Sequence, residues 1–274
     1  MDLDKQKVEI DLLLEALFRL YGYDFRNYAK AHIRRRILHR LEASGLESIS
    51  LLQHKILYDQ DFLNVLLADL SINVTEMFRD PKFFQAVRNL LVPRLETYPF
   101  IKIWHAGCAT GEEVYSMAIV LKEEGLLESS QLYATDFSST AIENAKSGII
   151  STDSVKKFTG NYQKSGGKQS FAGYFTARYE YAKLNESLLE KTTFAEHNLA
   201  NDSVFGEMNM IICRNVLIYF NKKLQDRVIE LFYKSLCPGG FLCLGSKENL
   251  QFSSLADNFT PLDQAEKIYM KKYQ

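Results

Sequence analysis

The stretch Phe100-Ile101-Lys102-Ile103-Trp104-His105-Ala106-Gly107-Cys108-Ala109-Thr110-Gly111-Glu112-Glu113 decides the fold. An apolar run of strand length ends in a loop with two glycines, and a helix is predicted from Glu112 to Glu124. The same grammar returns downstream. QLYATD (131–136) precedes a helix over Ser138–Ala145, and MNMIICRN (208–215) precedes a helix over Lys222–Leu236 and the run GFLCLGS (240–246). Strand and helix in alternation predict a parallel sheet with crossover helices, a doubly wound Rossmann-like α/β domain. KIYMKKY (267–273) adds a final antiparallel strand.

Upstream the grammar differs. From Lys7 to Ile72 apolar residues recur at helical spacing: Val8, Leu12, Leu13, Ala16, Leu17 and Leu20, then Ile33, Ile37, Leu38 and Leu41, then Phe62, Val65, Leu66 and Leu70. Breaks at Gly22, Gly45 and Asp59–Asp61 separate the helices, and no window alternates as a strand does. Asp80 is predicted to cap a connecting helix that has Pro81 at its first position and runs to about Leu95. The expected organisation is an all-helical domain over 1–72, a linker and connecting helix over 73–95, and the α/β domain over 96–274. Within the last, residues 149–193 read as a small inserted β-subdomain, with GNYQKSGGKQS (160–170) as a mobile turn and YFTARYEYAKL (174–184) as short strands.

Composition narrows the function. The 274 residues are 46% hydrophobic and 24% charged, with 14 glycines and 5 prolines, which excludes fibrous and disordered classes. Thirty-three basic against 34 acidic side chains give net charge −1, so no global field draws a polyanion, and nucleic acid is not an expected partner. The first residues carry no apolar leader core, and no run approaches the length of a membrane span, so a cytoplasmic protein without membrane insertion is expected. Cys108, Cys213, Cys237 and Cys243 form no CxxC pair, which predicts free buried thiols and no metal site. A Ser-His-Asp set and a phosphate-binding loop are equally missing from the sequence, which removes hydrolase and kinase readings.

In open α/β sheets the ligand lies at the carboxyl ends of the strands. The first such loop here has the form GxxxG and is followed at once by Glu112 and Glu113. Two carboxylates repel a pyrophosphate; they suit S-adenosylmethionine, which has no phosphate and carries a sulfonium and an α-ammonium group. The two acids can also simply complement the helix dipole. Asp136 closes the second strand, where a carboxylate can accept both ribose hydroxyls, or else cap the helix that follows.

Three segments then carry a resemblance: Asn73-Val74-Thr75-Glu76-Met77-Phe78-Arg79, WHAGCATGEEVYS from Trp104, and CRNVLIYF from Cys213. Together and in this order they resemble the CheR family of chemotaxis receptor methyltransferases, whose motifs run approximately NxTxFFR, a small-residue loop ending STGEEPYS, and FCRNVxIYF. The match spans nearly the whole chain. Departures are Met77 for the first Phe, Val114 for Pro, and His105-Ala106-Gly107-Cys108-Ala109 in a loop often richer in Ala and Ser. None removes a polar group that the implied site needs.

The resemblance implies that S-adenosylmethionine is held by Asn73, Thr75, Arg79, Glu113, Asp136, Asn198, Leu199, Arg214 and Asn215, with S-adenosylhomocysteine as product. It gives Arg79 a planar fork for a carboxylate, either the methionine's or the substrate's, and sets Glu113 against the α-ammonium. Arg79 and Tyr219 are the expected catalytic residues, although an aromatic side chain after a buried strand can equally be core. Arg26 to Arg40 holds six Lys or Arg and no acid, and Arg34, Arg35, Arg36 and Arg40 form a cationic strip on one helix. In isolation such a strip reads as a solvated face or a nucleic-acid contact. The resemblance sets it against the acidic helices of membrane chemoreceptors' cytoplasmic domains, and lets the β-subdomain dock a receptor C-terminal peptide. The expected function is methyl esterification of receptor glutamates for sensory adaptation. Two alternatives share the fold: a methyltransferase acting on another protein or a small molecule, and a non-catalytic signalling module that binds the methyl donor.

Overall fold

The computed structural model describes residues 3–71, 75–204, 206–251 and 253–273. The chain divides into two compact units, Met1–Ile72 with Ile218–Val228, and Asn73–Leu217 with Ile229–Gln274.

The first unit carries α1 (Leu3–Tyr21), α2 (Lys30–Ser44), α3 (Ile49–Tyr58) and α4 (Gln60–Leu70). Gly22 and Gly45 follow their helices in the left-handed region, and Asp59 ends α3 while its carboxylate caps α4 through the Phe62 N–H at 3.0 Å. These breaks stand where the sequence puts them, but the seam on α1 differs. Ile10, Leu13, Leu14 and Leu17 are buried, whereas Val8, Leu12 and Leu20 are exposed on the other side. Glu9, buried among them, accepts from the Ser50 hydroxyl at 2.6 Å and the Ser50 N–H at 3.2 Å, tying α1 to the start of α3. Residues 218–228 join this unit through backbone bonds, Ala29 N–H to the Tyr219 carbonyl at 2.7 Å and Asn221 N–H to the Asn27 carbonyl at 2.8 Å.

The second unit opens with α5 (Pro81–Ala86), a π-turn over Val87–Leu91, and α6 (Val92–Leu95), which together make the expected connecting helix. The wider turn stands immediately before Pro93, which has no N–H to continue an ordinary helical ladder. There follow β1 (Ile101–Ala106), α7 (Glu112–Glu123), β2 (Ser130–Asp136), α8 (Ser139–Ser147), β3 (Ile149–Ser151), α9 (Thr152–Lys164), β4 (Phe175–Arg178), β5 (Tyr181–Leu184), β6 (Thr192–Glu196) and β7 (Met208–Cys213). The chain ends with α10 (Lys222–Ser235), β8 (Leu236–Leu244), β9 (Phe259–Asp263) and β10 (Ile268–Lys271).

Seven strands form one sheet in the order β6-β2-β1-β7-β8-β10-β9. The first five pair in parallel, and β10 is antiparallel to both β8 and β9. The doubly wound expectation and its antiparallel end are both met; β9 is an additional strand. Apolar residues of β1, β7 and α7, such as Ile103, Met210, Val120 and Leu121, bury a common core with Phe83, Phe84 and Val87 of the connecting helix. All four cysteines are free and buried, as expected.

A separate antiparallel sheet, β3-β5-β4, lies within the stretch read as an insertion. One reading there is corrected: Gly160–Lys164 is the last part of α9, not a mobile turn. Phe158 and Tyr162, four residues apart, bury one face of that helix and outweigh the glycine. The true turn starts at Ser165.

Candidate active site

β1 and β7 run parallel, and the order in which successive strands are added to the sheet reverses between them, so that their carboxyl-end loops open on the same crevice. Gly107 and Gly111 both hold positive φ, 80° and 92°. A Cβ on Gly107 would stand 2.6 Å from Val216 Cγ2, and one on Gly111 would stand 2.9 Å from Ala145 Cβ, so both close approaches require glycine.

Four non-glycine residues in these loops and in the segment before α5 also sit at positive φ: Phe78 at 53°, Asp80 at 56°, Ala109 at 48° and Asn215 at 62°. Such backbone costs about 1–3 kcal/mol per residue and persists where contacts hold it. Each residue has one. Phe78 N–H donates to Ser116 Oγ at 2.9 Å, Ala109 N–H to Asp136 Oδ2 at 3.0 Å, and Asn215 N–H to Glu248 Oε2 at 3.1 Å, while Asp80 Oδ2 accepts from Arg214 Nη2 at 2.6 Å.

Arg214 is the hub. Its side chain, 2% exposed, also gives Nη1 to Glu113 Oε2 at 3.1 Å and to the Arg79 carbonyl at 3.3 Å, and its guanidinium lies 4.1 Å from the Phe83 ring centre. Glu113 Oε1 meets Nδ1 of the fully buried His105 at 3.2 Å. Burial pushes the Glu113 carboxyl up, but the His105 hydrogen bond and the Arg214 charge together hold it below its ordinary range. Glu112 differs: burial raises it, only partly offset by the Thr110 hydroxyl at 2.7 Å.

Asp136 is buried at the end of β2. Its two oxygens accept from Ala109 N–H and Ser138 N–H, each at 3.0 Å, which leaves acceptor capacity on both. Burial raises its pKa, and the backbone donors Ser138, Ala109 and Phe137 counter only part of that. The cap of α8 is Ser138 through the Ala141 N–H, so the capping alternative for Asp136 falls away.

The remaining predicted residues are placed as follows. Asn73 lies outside the described residues, and Thr75 is half-buried. The Asn198 side-chain oxygen takes the Ala200 N–H at 3.0 Å in a turn, and Leu199 beside it is buried. Asp80 precedes Pro81 as expected but makes no side-chain cap; its carboxylate serves Arg214. Tyr219 belongs to the helical unit, with its ring 5.4 Å from that of His32 at 85°. On α2, Arg40 pairs with the Asp69 carboxylate, Arg36 donates to the Asp69 carbonyl, and the exposed Arg34 donates Nε to Gln6 Oε1 at 2.7 Å, while Arg35 is exposed. Three of the four arginines of the cationic strip are thus bonded within their own unit.

Two contributors were not read from the sequence. Glu248 accepts the N–H groups of Gly245, Asn215 and Val216, at 2.6, 3.1 and 2.9 Å, and so shapes the loop after β7. His105 was noted only as a departure from a pattern. Glu248 leaves no local signal because Asn215 and Val216 lie more than thirty residues away, and His105 meets Glu113 only through the turn that joins β1 to α7.

The donor set fits S-adenosylmethionine. An anionic Glu113 flanked by Arg214, a ribose-type carboxylate at Asp136 and glycine turns that bring backbone close suit a cationic ligand without phosphate. Fold and loop chemistry define a Rossmann-like methyltransferase that uses this methyl donor. Residues 73–268 match the SAM-binding domain of CheR methyltransferase and residues 8–71 its all-alpha domain, and the chain belongs to the CheR methyltransferase family. It is 53% identical over 264 residues to Cher3 of Pseudomonas putida, covering 96% of this chain and 97% of that one. It is 31% identical over 197 residues to chemotaxis protein methyltransferase 1 of Vibrio cholerae, covering 69% of each chain. Chemotaxis protein methyltransferase 2 of Pseudomonas aeruginosa is 29% identical over 248 residues, 88% of this chain and 86% of that one.

Proposed function

We propose that the chain methylates glutamate side chains of membrane chemoreceptors to form methyl esters. The observation that carries this reading is the Asp80–Arg214–Glu113–His105 chain, which keeps an anion ready at the donor loop. The names of the Vibrio and Pseudomonas aeruginosa relatives support the receptor as acceptor.

Bound S-adenosylmethionine supplies an electrophilic methyl group. A glutamate acceptor is already ionised at neutral pH, so the protein needs no general base; it must orient and desolvate. Asp136 accepts the ribose hydroxyls, Glu113 the α-ammonium, and Asn198 with Leu199 serves the adenine. Arg79 offers its fork to a carboxylate, and the Tyr219 hydroxyl orients the acceptor. Arg34 and Arg35 are the exposed part of the cationic strip and steer acidic receptor helices. A receptor C-terminal peptide adds to an edge of the β3-β5-β4 sheet. No helix among the described residues is long and apolar enough to cross a membrane.

The test is transfer of labelled methyl to membranes with and without chemoreceptors, using the unaltered chain and an Arg34→Glu/Arg35→Glu variant. Label confined to receptor membranes, reduced in the variant while S-adenosylhomocysteine affinity is unchanged, is expected. Label in a soluble small molecule, or equal label without receptors, overturns the acceptor.

A further inference from the structure

His105 occupies an uneconomical place. It lies one residue before the carboxyl end of β1, beside Ala134 of β2 and Ile212 of β7, and is fully buried. An imidazole here forfeits its hydration, a cost that buried histidines ordinarily recover through both ring nitrogens. Here only one is recovered. Nδ1 meets Glu113 Oε1 at 3.2 Å, whereas Nε2 has no partner among the described residues. An aliphatic side chain would fill the position without that loss, so the one contact the ring makes is what it contributes.

That contact completes a geometry. Arg214, from the end of β7, holds Glu113 by Oε2 alone, and a carboxylate held at one oxygen can still turn about its last torsion. A second anchor at Oε1, delivered from β1, fixes the carboxylate plane. An ionised carboxylate only accepts, so the shared proton sits on Nδ1. The lone pairs not used by His105 and Arg214 remain for a ligand, and the Glu113 side chain keeps 19% of its surface exposed.

We propose that His105 is a positioning residue that aims Glu113 at the α-ammonium group of the methyl donor, and so makes binding selective for ligands that carry that group. This rests on the reading of Glu113 as the ammonium ligand.

Calorimetric titration of the full chain with S-adenosylhomocysteine and with its analogue lacking the α-amino group tests the proposal. For His105→Leu, S-adenosylhomocysteine should bind roughly tenfold more weakly, the loss of about one charged hydrogen bond, while the analogue is unaffected. Asn places an amide N–H where Nδ1 stands and Gln places one where Nε2 stands; His105→Asn should restore the preference for the amine and His105→Gln should not. Equal weakening of both ligands, or no weakening, overturns the role of His105. If the Leu variant does not fold, the Asn and Gln pair decides, and equal selectivity in those two overturns the proposal. Glu113→Gln separates the two readings. If it weakens both ligands equally, or neither, the ammonium assignment itself is wrong; if it weakens S-adenosylhomocysteine alone and the His105 variants do not, only the positioning role fails.

Discussion

Asp136 and Glu113 are both carboxylates at the carboxyl ends of the sheet, and their surroundings push them in opposite directions. Burial raises Asp136, with backbone N–H groups countering only in part. Burial also acts on Glu113, but His105 and Arg214 outweigh it and the net shift is downward. Truncating Asp136→Ala should weaken S-adenosylhomocysteine binding by about 1.5–3 kcal/mol, read by calorimetry; unchanged affinity would remove Asp136 from the site. For Glu113 the sign follows from linkage. A carboxyl depressed in the folded state stabilises the fold above its unfolded value, near 4.5, and that contribution is lost as pH falls through the lower folded value. The stability gap between the unaltered chain and Glu113→Gln should therefore be widest near neutrality and close in acid, followed by urea melts across pH. A gap independent of pH contradicts the assigned shift. At this scale the acids were legible, because the spacing of GxxxGEE and the strand-ending Asp136 are local. The service of Asp80 and Glu248 was not, since their partners Arg214 and Asn215 lie far away in the chain, and that of His105 was not because only the turn between β1 and α7 brings it to Glu113.

Elements were legible where period and punctuation agreed. The four helices of the first unit break at Gly22, Gly45 and Asp59, where left-handed backbone and a carboxylate cap are needed. α9 was missed because Gly160 and the run after it suggest a turn, while Phe158 and Tyr162 supply the buried face that decides. Gly160 has helical neighbours and open space around its Cβ position. Gly160→Ala should accordingly stabilise the fold by about 0.5–1 kcal/mol in chemical denaturation, and a loss of stability would contradict the helix. On α2 the four arginines read as a single strip; packing bonds Arg34, Arg36 and Arg40 within their own unit and leaves Arg35 exposed. Arg40, committed to Asp69, should on change to Ala lower the stability of the helical unit by on the order of 1–3 kcal/mol. The exposed Arg35 should tolerate the same change in a thermal melt. Equal effects at both positions would argue against the division.

For the whole molecule, a parallel sheet whose order reverses between β1 and β7 sets the donor site, and the near-neutral chain keeps its exposed cationic charge local. The sheet was readable because its strands are continuous apolar runs; β9 was not, for Phe259–Asp263 contains a proline and pairs only at the edge. The central claim is that the acceptor atom is a glutamate oxygen, and the linkage formed distinguishes it from every other acceptor. The most direct measurement is methyl transfer to a purified receptor cytoplasmic fragment, followed by mild alkali. Release of the label as methanol, with loss of labelling when the fragment's target glutamates are changed to alanine, is the predicted result. Label that survives alkali, or that persists without those glutamates, would contradict the account.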